Sequence, residues 1–233
     1  MKLDLLVFGA HPDDVELACG GTIIKHTQKG KKVGVIDLTM GELGTRGNAE
    51  LRLQEAQHAS IILGLSLREN MGFKDGFFKD SEENKILLIK KIRSYKPDIV
   101  ITNSPFDRHP DHGRSHTIVT EACFLSGLEK IETNQKPWRP TSIYHYIQFD
   151  NLKPDFIIDI SKQIDLKLDA VKSYRSQFYN PKSKETKTII SEKGFLESVT
   201  YRAKDLGRLS NCDYAEGFLT HRIPSIEFLT DIK

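Results

Sequence analysis

His11-Pro12-Asp13-Asp14 and His109-Pro110-Asp111-His112 place three imidazoles and three carboxylates in two four-residue stretches. Each stretch directly follows an apolar run that reads as a buried strand. This inventory exceeds what one divalent metal needs, because two His and one carboxylate, with a position left for water, already make a common catalytic zinc arrangement. Such a metal lowers the pKa of bound water to about 7. A spare carboxylate can then take the remaining proton, and a spare imidazole can steady a developing oxyanion. Spacing does not assign ligand and base among the acids. Adjacent side chains in an extended turn point apart, however, so Asp13 and Asp14 are expected to divide the two roles. Each tetrad alone also suits a structural purpose, since Asp-Asp before a helix is an N-cap arrangement and His-Pro-Asp is a turn. Their recurrence at matching ends of two strands is what favours chemistry.

The elements that must position them follow from periodicity and caps. Strands are predicted over 3–9, 33–38, 66–70 and 98–102, and helices over 15–28, 49–63, 81–95 and 113–125. Asp13 and Asp14 open the first helix and Gly30 lies just past its end; Gly64 stops the second. The alternation predicts an α/β fold: a doubly wound, mostly parallel, Rossmann-like sheet with helices on both faces. In the common 3-2-1-4 strand order, strands 1 and 4 are neighbours where the order reverses, and ligands bind beyond their carboxyl ends. The two tetrads would then face each other across one crevice. Further on, 142–149 and 156–160 read as strands, 164–178 and 195–209 as helices, and 179–193 as a mobile polar loop. No repeat or linker interrupts the chain, so residues 1–233 are expected to form one domain.

The first turn argues against a nucleotide cradle. A dinucleotide site needs G-x-G-x-x-G there, whereas this chain has Gly9-Ala10-His11-Pro12-Asp13-Asp14. Pro12 removes a backbone donor and two carboxylates repel phosphate. Gly20-Gly21 falls inside the helix, where close packing is the better reason for it.

Composition narrows the class further. The 233 residues are 38% hydrophobic and 28% charged, with a net charge of +2, and no basic stripe interleaved with aromatics suggests nucleic acid. No stretch approaches the ~18 apolar residues of a membrane span, and Met1 to Ala10 is too short for a signal peptide. A cytoplasmic protein without membrane partners is expected. Cys19, Cys123 and Cys212 are odd in number and far apart, which suggests reduced thiols, the first two buried in helices. His26, His58, His116, His145 and His221 lack acidic or imidazole neighbours in sequence, so each reads as surface or packing.

Ala10-His11-Pro12-Asp13-Asp14 after strand 1 and His109-Pro110-Asp111-His112 after strand 4 resemble the PIG-L/LmbE-like N-acetylglucosamine deacetylases, and the likeness covers most of the chain. Residues 41–47 (Gly-Glu-Leu-Gly-Thr-Arg-Gly), Arg108, Ser176-Gln177-Phe178 and residues 214–218 (Tyr-Ala-Glu-Gly-Phe) resemble the bacillithiol-biosynthesis branch. The resemblance implies zinc-dependent hydrolysis of N-acetylglucosaminyl-malate to glucosaminyl-malate and acetate. It implies His11, Asp14 and His112 as ligands and Asp13 as general base. His109 would stabilise the oxyanion or protonate the leaving amine, oriented by Asp111. The mycothiol branch carries a Tyr where this chain has Asp107, so that residue's role does not transfer. A malate aglycone needs cations; Arg52 and Arg108 are best placed, with Arg46 as a weaker candidate. Fe2+ or another divalent ion fits the same ligands, and the resemblance implies a homo-oligomer such as a hexamer. The alternatives are a broader deacetylase of N-acetylglucosamine or chitobiose-type sugars, and a non-catalytic metal- or sugar-binding protein.

Overall fold

The computed structural model describes residues 1–228 and Thr230. Seven strands form one sheet in the order β3-β2-β1-β4-β5-β7-β6. They are β1 (Leu5–Gly9), β2 (Val33–Thr39), β3 (Leu67–Phe73), β4 (Ile99–Asn103), β5 (Ser142–Tyr146), β6 (Phe156–Asp159) and β7 (Ala215–Thr220). β1 pairs in parallel with β2 and β4, β2 with β3, and β4 with β5. β7 runs antiparallel between β5 and β6. The helices are α1 (Asp14–Thr27), α2 (Ala49–Leu63), α3 (Glu82–Tyr95), α4 (Pro110–Leu125), α5 (Ile164–Lys172) and α6 (Lys193–Gly207). None is long and apolar enough to cross a membrane.

β1 and β2 are buried along their whole length, which explains their unbroken apolar runs. Side chains alternate between faces, so Leu6 and Phe8 join α3 and α4 in one core while Leu5 and Val7 join α1 in the other. Cys19 and Cys123 are buried in these cores, and burial pushes both thiols up, as expected of structural cysteines. Gly21 is needed for packing: a Cβ there would lie 2.8 Å from Ile160. The helix departs from helical geometry at Cys19, and Glu216 of β7 accepts the N–H groups of Gly21 and Thr22 just beyond.

Several boundaries differ from expectation. The helix expected from Gly113 begins at Pro110, because Pro is tolerated in the first turn and the His109 ring accepts the Asp111 N–H as a cap. The helix expected to reach Phe178 stops at Lys172, and residues 173–178 continue as turns. The strand expected over 142–149 ends at Tyr146. Residues 214–218, read from sequence only as a motif, lead into and form most of β7, the strand that joins β5 to the edge strand β6. The segment 179–193 contains a short 3-10 turn, Ile189–Ser191, and Glu185 accepts the Gly47 N–H.

Candidate active site

β1 and β4 are adjacent and parallel, so the turns leaving their carboxyl ends meet above the sheet. The His11 ring lies 4.6 Å from that of His109 and 5.6 Å from that of His112, centroid to centroid. Asp14 sits between the two turns, its Oδ2 3.4 Å from His11 Nδ1 and its Oδ1 3.2 Å from His112 Nε2. Gln148 also donates to Asp14 Oδ1. All three of His11, Asp14 and His112 are buried.

The outward nitrogen of each imidazole is backed by a carboxylate that sequence reasoning did not pick. His11 Nε2 is 3.1 Å from Asp75 Oδ1. His112 Nδ1 is 3.0 Å from Asp107 Oδ1, off the line of a hydrogen bond. Carboxylates behind ligating histidines fix the ring and raise its basicity. Burial disfavours charge on these rings. The carboxylates outweigh it, holding His11 well above its usual range and His112 up at about 9. Burial likewise opposes ionisation of Asp14, but the two imidazoles keep its carboxyl well below the usual range. Asp75 also overcomes burial, chiefly through His11, and falls to about 2. This pocket is therefore shaped for positive charge. Protons on two imidazoles and a metal ion compete for the same nitrogens, and a metal would displace those protons. His11 Nδ1 and His112 Nε2 both face the Asp14 carboxylate. Among the described residues, His109 also brings a ring nitrogen within 4.8 Å of His11 and His112, and Asp75 and Asp111 form a second such group with His11.

Asp13 points away from Asp14, as the turn argument expects. It occupies the left-handed region at φ 112°, costly for a non-glycine residue, by about 1–3 kcal/mol. Arg52 holds it there: Nη2 donates to Asp13 Oδ2 at 2.7 Å and Nε donates to the Pro12 carbonyl at 3.1 Å. Gly41 is required beside it, because a Cβ would lie 2.2 Å from Arg52 Nη1. Burial raises the Asp13 carboxyl to about 6 even though Arg52 opposes the shift. Arg52 was expected to bind substrate. It donates to Pro12, Gly41 and Asp13 and so positions the base, and it also lines the cavity.

His109 accepts the Asp111 N–H at Nδ1, which leaves Nε2 as the N–H and directs it to the cavity. Burial and the charges of His11 and His112 lower its pKa, so it is a neutral donor and not an imidazolium. Asp111 orients His109 only through that backbone N–H. Its carboxylate accepts the Gly76 N–H at 2.7 Å, receives Arg114, and lies 3.4 Å from His11 Nε2. Asp111 sits in the first turn of α4, where its side chain reaches the loop after β3 and not the ring two residues back.

The centre opens into a cavity of about 620 Å³, walled by α6 and by residues 147–149. Four guanidinium groups line it, that of Arg52 among them. Arg108 is exposed, stacks on Phe149 at 4.6 Å and makes no ion pair among the described residues. Arg46 is only 5% exposed, its Nε and Nη2 have no hydrogen-bond partner among the described residues, and Glu185 is 3.7 Å away. Arg202 on α6 bonds the Phe149 carbonyl but leaves Nη1 buried without a partner. Arg202 was missed because α6 gives no local sign of facing a site. His26 and His58 stand apart from the centre, whereas His116, His145 and His221, expected to be isolated, meet one another.

Comparison with known proteins agrees with this geometry. The PIG-L family, described as GlcNAc-PI de-N-acetylase, matches residues 6–123. A diacetylchitobiose deacetylase of Thermococcus kodakarensis is 31% identical, over 75% of this chain and 70% of its own. The "Probable N-acetyl-alpha-D-glucosaminyl L-malate deacetylase 2" of Bacillus anthracis is 28% identical, over 75% and 80%. The solved structure of a conserved protein from Thermus thermophilus superimposes with a TM-score of 0.88 at 36% identity, over 97% of this chain and 98% of that one.

Proposed function

This chain belongs to the PIG-L family of deacetylases, and we propose that it hydrolyses the acetamide of N-acetylglucosaminyl-malate, releasing acetate. The observation that carries the malate assignment is the cationic wall of the cavity. Among the described residues, Arg46 and Arg202 keep buried donors without hydrogen-bond partners, Arg46 has only Glu185 at 3.7 Å as counter-charge, and Arg108 stands at the mouth with no ion pair. An uncharged sugar offers such groups only neutral hydroxyl, ether and amide oxygens, whereas malate brings two carboxylates that guanidinium forks match.

His11, Asp14 and His112 would hold a divalent metal, and zinc suits this imidazole–carboxylate set. When bound, the metal polarises the amide carbonyl and acidifies water. Asp13, kept in place by Arg52, takes a proton from the attacking water and returns it to the leaving amine. A carboxyl raised to about 6 is well matched to both transfers near neutral pH. His109 Nε2–H donates to the oxygen on which negative charge develops. A base and an oxyanion donor beside the ligands are parts that a metal-storage or sugar-binding protein does not need.

The Thermococcus relative supports a second reading, a chitobiose-type deacetylase with the same mechanism. Acetate release from N-acetylglucosaminyl-malate, diacetylchitobiose and N-acetylglucosamine separates the two. We expect the malate conjugate to have the highest kcat/KM. Equal or better turnover of diacetylchitobiose would overturn the malate assignment, and no acetate from any of the three would overturn deacetylation.

A further inference from the structure

His116, His145 and His221 form a second imidazole cluster outside the cavity. His116 is on α4, one turn beyond His112, about 6 Å along the axis. His145 is in β5 opposite Thr102 of β4, and His221 directly follows β7. Ring centroids are 4.3 Å apart for His116 and His145, 4.9 Å for His145 and His221, and 5.5 Å for His116 and His221. One ring nitrogen from each lies within 4.8 Å of those of the other two.

Ordinary packing leaves this cluster unsatisfied. His145 is 1% exposed, and its Nδ1 lies 3.2 Å from the Asn103 carbonyl and 3.1 Å from His116 Nδ1. Its Nε2 is buried and has no partner among the described residues. With the proton on Nδ1, given to the carbonyl, Nε2 keeps a bare lone pair in a site without a donor, a costly arrangement. An imidazole with one nitrogen on a backbone carbonyl and the other free is, however, the usual form of a metal-ligating histidine. No carboxylate pairs with any of the three among the described residues. His221 is exposed, which gives an ion a way in.

We propose that His116, His145 and His221 bind a second divalent transition-metal ion, of the zinc class, separate from the centre at His11. An all-imidazole site with no carboxylate selects for zinc and its neighbours over magnesium or calcium. Bound there, the ion ties the segment after β7 to β5 and to α4, the helix that carries His112.

The test counts zinc per chain in the zinc-saturated protein, by native mass spectrometry and elemental analysis. The parent should hold two ions, and His221→Gln and His112→Ala one each. His221 is exposed, so its substitution leaves the core intact. A parent with one zinc that His112→Ala removes would overturn the second site, as would two zinc ions retained in His221→Gln. A single ion lost in His221→Gln but kept in His112→Ala would uphold this site and overturn the centre at His11.

Discussion

Two buried polar clusters hang from the first turn of α1, and they differ in what carries the positive charge. Glu16 faces downward, where Arg68 donates to it at 2.5 Å and to both oxygens of Asp37 at 2.8 and 2.9 Å. Tyr174 adds a hydroxyl to Glu16 at 3.0 Å. Two residues earlier, Asp14 faces upward among His11, His112 and the carboxylates behind them. The Arg68 guanidinium is held well above even its usual range, since Asp37 and Glu16 outweigh the cost of burial, and so it is a permanent cation. The upper cluster instead depends on imidazole protons, which can be exchanged for a metal ion, and it opens on a cavity. Both clusters bury carboxylates to a similar degree. One is a closed structural pin, and the other carries its positive charge on imidazoles and opens on a cavity.

That contrast breaks most sharply at the ligands. His11→Ala, Asp14→Ala and His112→Ala should each lose bound metal and reduce acetate release to background while the circular dichroism spectrum is kept. Full metal content in all three would remove the assignment. The lower cluster should show the opposite pattern. Arg68→Met strands two buried carboxylates and should cost about 3–5 kcal/mol in denaturant unfolding. Its surviving folded fraction should retain metal and parent-like turnover, and an unchanged unfolding midpoint would mean that the pin does not stabilise the fold.

Asp13→Asn sharpens the comparison within the upper cluster. It should keep the metal and lower kcat by at least ~10²-fold, the effect of losing a general base. In the parent, the base works only when ionised, and burial raises its carboxyl to about 6. Turnover should therefore fall as pH drops below about 6; a cation on Asp14 would move that limb lower. Parent-rate turnover by Asp13→Asn would reduce Asp13 to a helix cap. The smallest effect belongs to the cavity wall. Arg108→Met should lower kcat/KM for the malate conjugate about 10–150-fold, the worth of a charged contact of roughly 1.5–3 kcal/mol. N-acetylglucosamine should barely notice the change. Equal losses on both substrates would mean that Arg108 supports His109 and does not read malate.

The parallel half of the fold was legible because its signals are local. Helix α2 begins and ends where the sequence places it, since Asn48 accepts the Leu51 N–H and Gly64 takes up φ 69°. The meeting of the tetrads followed from strand order alone. Asp75 and Asp107 were not legible: each lies in a loop with no periodicity, and becomes a partner only once the strand ends are brought together. The same holds for Arg202 and for the trio of His116, His145 and His221, whose elements meet through the antiparallel β7. Arg52 and Asp111 show the converse difficulty. Arg52 was placed by its position early in the second helix and Asp111 by its tetrad, but that Arg52 donates to Asp13 and that Asp111 accepts from Gly76 only coordinates reveal.

The central claim is that the exchangeable cation of the upper cluster is a catalytic metal working with Asp13. Acetate release from N-acetylglucosaminyl-malate, measured beside metal content in the parent, the chelator-stripped parent, His112→Ala and Asp13→Asn, tests it most directly. The account predicts activity only in the metal-loaded parent, with Asp13→Asn loaded but slow, and His112→Ala both without metal at its centre and inactive. A stripped parent that releases acetate at the rate of the loaded one would contradict it.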